Sequence, residues 1–192
     1  MSPTITDARP AITPAIEALL HQLVAVTPQL AGVVVDDIVV VGLGAHGSAV
    51  ASVRELRGQA ASVTIAGRRR RIELGLRPDF FLEGDAARRT ATLMHELLHL
   101  DPTRPGRLLD EARHSHRPHA AHDKLAQTLT RVALSSLSPT AALCLAHDGE
   151  VRLRSWRRRP IETTARRRFD DDDVFDAIVR VCTPADRRGG WW

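Results

Sequence analysis

Apolar positions along the chain change period several times, and each change predicts an element. In "TPAIEALLHQLVAVT" (13–27), Ile16, Leu19, Leu20, Leu23 and Val24 fall on one helical face, with Thr13 and Pro14 as the start. Residues 33–42 are rich in valine and predict a buried strand. Residues 48–56 and 61–66 read as extended, and "RRIELGL" (70–76) alternates like a half-buried strand. From Asp85 to about Leu100 neither Gly nor Pro interrupts the chain, which predicts a helix. Pro102, Pro105, Gly106 and Pro118 make 101–118 begin as a loop. Leu125, Leu129, Val132 and Ala133 place a second helical face in 119–136. "AALCLAHDGEVRLRSW" predicts two strands joined at the Asp148-Gly149 dipeptide. "DDDDVFDAIVRV" predicts a short helix whose aspartates sit at the end that the helix dipole favours for anions.

These elements predict a single α+β domain over 1–192, with a C-terminal hairpin and short helix in 140–192. A length of 192 residues suits one core. A hydrophobic share of 43% argues against global disorder. "MSPTITDARP" is not a basic-then-apolar leader, and "VVVDDIVVVGLG", broken by Asp36 and Asp37, is too short to span a bilayer. No membrane partner is expected. Cys144 and Cys182 form no C-x-x-C, which disfavours a disulfide scaffold or zinc ribbon and fits a reducing cytoplasm. Lys124 is the only lysine, so arginine supplies the rest of the 27 basic residues, clustered at 68–71, 157–159 and 166–168. Guanidinium clusters can contact phosphates, which keeps DNA or a DNA-bound protein as a candidate partner. No aromatic residues interleave with them, so a solvated face is the simpler expectation.

The chemistry concentrates in "MHELLHLDPTRPGRLLDEARHSH" (94–116), which holds the pattern H-E-x-x-H at His95, Glu96 and His99. On a helix, positions i and i+4 share a face, so both imidazoles can reach one zinc ion. Glu96 then projects beside the metal, where it can act as general base. A catalytic zinc needs a third protein ligand and an open position. The downstream histidines are His114, His116, His119 and His122. Pro102 and Pro105 stand where metzincins need glycine and a third histidine, which excludes that class. Glu111 lies too close to His99 to return as a gluzincin-type ligand, and Asp123 is a remoter candidate. His114 leaves room for a loop to turn and bring a ligand back.

The stretches "HGSAVASVREL", "VTIAGRRRRIELGL", "RTATLMHELLHLDPTRPGRL" and "HSH" resemble a family of small bacterial metallopeptidases and, more distantly, the SprT-like (Spartan-type) minimal zincins. The proline and glycine that the family places after H-E-L-x-H match Pro102 and Gly106, and its His-Ser pair matches His114 and Ser115. The resemblance covers about 33–135. It implies a zincin-like core there, a small sheet packed on the H-E-x-x-H helix, and zinc-dependent peptide hydrolysis. It implies His95, His99 and His114 as zinc ligands and Glu96 as general base. An H-G-x-x-F pattern is absent, which keeps His116 beside His114, with His119 and His122 behind them. The chain has no tyrosine, so His116, His119, Arg113 or the metal alone would stabilise an oxyanion. SprT-like relatives act on proteins crosslinked to DNA.

Two readings compete. "VVVGLGAHG" matches G-x-G-x-x-G after a strand, at Gly42, Gly44 and Gly47, with Arg68 placed to meet a 2′-phosphate of NADP. Against it, the helix that would follow the glycines is short, and no further strand–helix–strand alternation appears. The other is a nucleic-acid-associated protein whose metal site is structural or vestigial.

Overall fold

The computed structural model describes residues 10–44, 49–56, 62–82, 85–110, 120–147, 150–160 and 168–179. The architecture is mixed α+β. The first amphipathic stretch forms helix α1, Thr13–Val26, with Pro14 in its first turn and Ile16, Leu19, Leu20 and Leu23 buried. Strand β1 (Ile38–Gly42) runs parallel to β5 (Ile72–Leu76), and β2 (Ala51–Glu55) lies antiparallel on the other side of β5. The order is β1-β5-β2.

A second small sheet has the order β4-β3-β7, built from β3 (Ser62–Ile65), β4 (Arg68–Arg70) and β7 (Arg168–Phe169). Its tight hairpin turns at Ala66 and Gly67, with φ +52° and +70°. Positive φ at both central residues is what a two-residue I′ hairpin requires, and it strains alanine but not glycine. β6 (Val151–Trp156) pairs antiparallel with β8 (Val174–Val179). The remaining helices are α2 (Pro78–Leu82), α3 (Ala86–Leu98), α4 (Ala120–Leu134) and α5 (Pro139–Ala146). One buried apolar cluster runs from Ile12 on the N-terminal side of α1 to Val179 in β8 and takes in residues of α1, β1, β5, α3, α4, α5 and β6.

Three expectations are corrected. The first predicted strand of the hairpin, over 141–147, is helix α5. Ser138 caps it by accepting from Ala141 N–H at 3.3 Å, Pro139 sits in the first turn, and Ala141, Cys144 and Leu145 are buried. A good cap on a run of helix formers outweighs the hairpin signal, and Asp148 and Gly149 themselves lie outside the described residues. The predicted C-terminal helix is instead a 3-10 turn, Asp171–Asp173, followed by strand β8. Asp170 caps that turn through a capping box, as an aspartate run can, but the β-branched residues after it gain more from pairing with β6. Third, "RRIELGL" is not half-buried, because every position of β5 is buried.

That burial includes a carboxylate. Glu73 is 1% exposed at the centre of the first sheet. Arg54 of β2 donates to it from Nε (2.8 Å) and Nη2 (2.6 Å). Arg159, just past β6, donates from Nε (3.0 Å) and Nη2 (2.5 Å), and Trp156 Nε1 donates at 2.8 Å. Burial pushes the Glu73 carboxyl up, but the two guanidiniums outweigh it and hold the pKa below the ordinary 4.5. The ion therefore joins β5, β2 and the end of β6. Removing one partner of a buried pair commonly costs 3–5 kcal/mol. Both arginines here can reach water, so Glu73→Gln should lower the unfolding free energy by about 2–3 kcal/mol in a denaturant titration at neutral pH. A carboxyl whose folded pKa is depressed stabilises above its unfolded value and loses this as pH falls through the folded one. The gap between wild type and Glu73→Gln should therefore close as pH drops below 4.5.

Candidate metal centre and general base

Helix α3 carries the H-E-x-x-H pattern, and its rotation is set by packing. Asp85 caps its start, accepting from Arg88 N–H at 2.9 Å. Leu93, Met94 and Leu97 are buried in the core, and Leu98 is nearly so. Arg89, also buried, donates Nη2 to Phe81 O (2.8 Å) and Nη1 to Leu145 O (3.0 Å) and His147 O. A guanidinium thus satisfies the last carbonyls of α2 and α5 while anchoring the first turns of α3. The helix ends at Leu98 with His99 as its C-cap, still in helical conformation (φ −77°, ψ −14°). His95 and His99 therefore keep the one-turn spacing.

The two imidazoles converge. His95 Nε2 and His99 Nε2 are 3.0 Å apart, with ring centroids at 4.7 Å. Two nitrogens bound to one tetrahedral zinc at about 2.0–2.1 Å would stand roughly 3.3 Å apart, so the pair fits two positions of such an ion with a shift of tenths of an ångström. Helix α4 meets the same turn. Asp123 Oδ1 lies 2.8 Å from His95 Nδ1. A carboxylate accepts, so the proton sits on Nδ1 and the Nε2 lone pair points at the ligand position. His122 stacks on His99 (centroids 5.1 Å, interplanar 28°) with its Nε2 3.4 Å from Leu98 O. Asp123, weighed from the sequence as a remote ligand, thus meets the outer nitrogen of His95 instead. Helical periodicity shows that His122 and Asp123 share a turn of α4, but not which turn of α3 that turn touches.

Glu96, about 100° further round the helix than His95, is turned toward the sheet. It is 8% exposed and accepts a hydrogen bond from Val53 N–H of β2. Leu56 N–H donates to Arg71 O and Arg77 N–H to Val50 O, so even-numbered residues of β2 bond to the β5 side. Ala51, Val53 and Glu55 direct their main-chain groups outward. Among the described residues β2 is an edge strand, and Glu96 sits on its outward side. Burial pushes the Glu96 carboxyl up to about 7, and the Val53 bond only partly offsets it.

The chain after α3 reverses, as the Pro-Gly pattern predicts. Asp101 accepts from Thr103 N–H (2.9 Å), Thr103 Oγ1 (2.6 Å) and Arg104 Nε (2.5 Å). Gly106 has φ +73°, which only glycine adopts at little cost. Leu109 N–H then returns to His99 O at 2.9 Å, and Leu108 N–H is held by Glu55 Oε1 at 2.8 Å. The last described residues before 111 and the first turn after 119 thus both stand at the histidine pair. His114, His116, His119, Glu111 and Arg113 lie outside the described residues. Among the described residues no group of three or more His, Cys, Asp or Glu is arranged to hold a metal ion.

The rival chemistries find less. After β1 and Gly44 the next described element is strand β2, not a helix, so the N-terminal dipole that would hold a pyrophosphate has no helix to come from. Gly47 lies outside the described residues. Arg68 pairs with Asp36, Arg70 is buried and donates to Asp36 O and Ile38 O (2.8 and 2.9 Å), and Arg71 reaches Asp37 (3.4 Å). Arg159 serves Glu73, and Arg157 lies over the Phe175 ring at 5.3 Å. These arginines are thus engaged by groups of the chain itself, Arg70 in the interior and Arg68, Arg71, Arg157 and Arg159 at the surface. No described helix is long and apolar enough to cross a membrane. No family model, curated protein or solved structure matches the chain.

A carboxyl whose folded pKa is raised destabilises the fold as pH rises from its unfolded value to its folded one. In chelator-treated protein, Glu96→Gln should match wild type near pH 4.5 and gain on it up to about pH 7, then hold a constant lead. The lead should reach at most about 3 kcal/mol, from about 1.4 kcal/mol per pKa unit. Urea titrations across pH 4–8 measure it.

Proposed function

We propose that this chain is a zinc-dependent peptidase built on a minimal zincin-like core. The observation that carries the reading is the register of α3. Its two Nε2 atoms lie 3.0 Å apart toward α4, while Glu96, buried, is turned to the outward edge of β2. His95 and His99 would hold the ion, with His114 or His116 as the third ligand. Bound zinc would supply a Lewis acid for the scissile carbonyl and water made acidic enough to ionise near pH 7.

The chain's own residues supply the rest. The outward main-chain groups of Ala51 and the carbonyl of Val53, whose N–H is taken by Glu96, offer an extended peptide a strand edge to pair with. That pairing would bring a scissile bond close to Glu96. Glu96 takes up and returns a proton, passing it to the leaving amine. A carboxyl that titrates near neutrality suits both halves of that transfer. The buried setting of Glu96 limits competing contact with bulk water.

Purified wild type should contain stoichiometric zinc and cleave an unfolded protein substrate. His95→Ala should lose both. Glu96→Ala should keep the zinc and lose cleavage by about 10²–10⁴-fold, the usual share of a general base. Elemental analysis paired with a proteolysis assay reads all three. A wild-type protein without stoichiometric zinc would sink the proposal.

A further inference from the structure

We propose that Asp123 is a positioning residue that aims His95 at the metal, a role that rests on the zinc reading above. The bond from His95 Nδ1 to Asp123 Oδ1 is 2.8 Å and joins two different helices. Asp123 is 56% exposed and His95 24% exposed. A pair this open to water contributes little to folding, so burial does not explain the contact. It does determine which ring nitrogen carries the proton. A free imidazole can place its proton on either nitrogen, and only one tautomer leaves Nε2 able to coordinate. The carboxylate selects that tautomer, holds the ring plane and makes the opposite nitrogen more basic. In the same turn of α4, His122 stacks on His99 and fixes the orientation of the second ring. One turn of α4 therefore braces both candidate ligands from behind.

The test uses the full chain and zinc itself, in competition with a chromophoric chelator. Asp123→Ala should weaken zinc binding by about 10–100-fold, the usual effect of losing such an outer partner. The melting temperature of the metal-free protein should shift by a few degrees at most, as for an exposed site. Asp123→Asn can still accept from Nδ1 but carries no charge, so it should recover part of the affinity. Lys124→Ala, on the neighbouring exposed residue, should leave affinity unchanged. Nitrogen NMR of the metal-free rings should show His95 protonated at Nδ1 in wild type and mixed between nitrogens in Asp123→Ala. Zinc bound as tightly by Asp123→Ala as by wild type, with His95→Ala failing to bind, would overturn the positioning role alone. Failure of wild type to bind zinc would overturn it together with the peptidase reading.

Discussion

The rotation of α3 about its own axis decides what this fold can do. Each residue advances about 100° around a helix, so once the core takes Leu93, Met94 and Leu97, the directions of His95, Glu96 and His99 follow. The imidazoles turn to α4 and the carboxylate to β2. Arg89 makes that setting hard to change, because its guanidinium is bonded to carbonyls of Phe81, Leu145 and His147 on two other helices and the residue beyond α5. Slipping α3 by one residue would strand those carbonyls and bury the histidines. The chemistry therefore depends on a packing decision made by residues that take no part in it.

The sheet matters to the site through one strand. β2 presents outward main-chain groups beside Glu96 only because β5 holds its other edge in register, and Glu73 on β5 is tied to Arg54 on β2. A shifted register of β2 would leave these buried charges unpaired. Glu55 at the end of the same strand holds Leu108 N–H, while Leu109 N–H holds His99 O. Gly32 closes the other side, its φ at +143° and no room for a Cβ against the Pro102 carbonyl. The strand, the helix end and the returning chain are thus locked to each other by short-range bonds.

Most of what the sequence makes legible is periodic. α1 and α4 appear where apolar faces predict them, α3 where the chain runs free of Gly and Pro, and the Asp101–Gly106 reversal where Pro and Gly predict it. The C-terminal segments are misread for a common reason. "AALCLA" and "VFDAIV" are short apolar runs, for which period cannot separate helix from strand. Ser138 and Pro139 decide the first locally, and pairing with β6 decides the second from afar. Within the site, His95, Glu96 and His99 are readable because one helix carries all three. The bond of Asp123 to His95 and the seat of Glu96 on Val53 are not, because each depends on how two elements meet. Likewise the arginine run at 68–71 reads as surface charge until Asp36, Asp37 and two backbone carbonyls claim three of its members.

The rotation of α3 also sets its two proton-bearing groups against different neighbours. On the α4 side, His95 donates from Nδ1 to Asp123, so the proton between the two Nε2 atoms belongs to His99. A cation taking that place would require His99 to carry its proton on Nδ1 instead. On the β2 side, the Glu96 proton is held by desolvation, against the Val53 N–H contact. The His95 proton and the Glu96 carboxyl are therefore set by different neighbours, Asp123 for one and the edge of β2 for the other. Since the core packing that positions both makes no use of the imidazole nitrogens, the arrangement is a property of the fold.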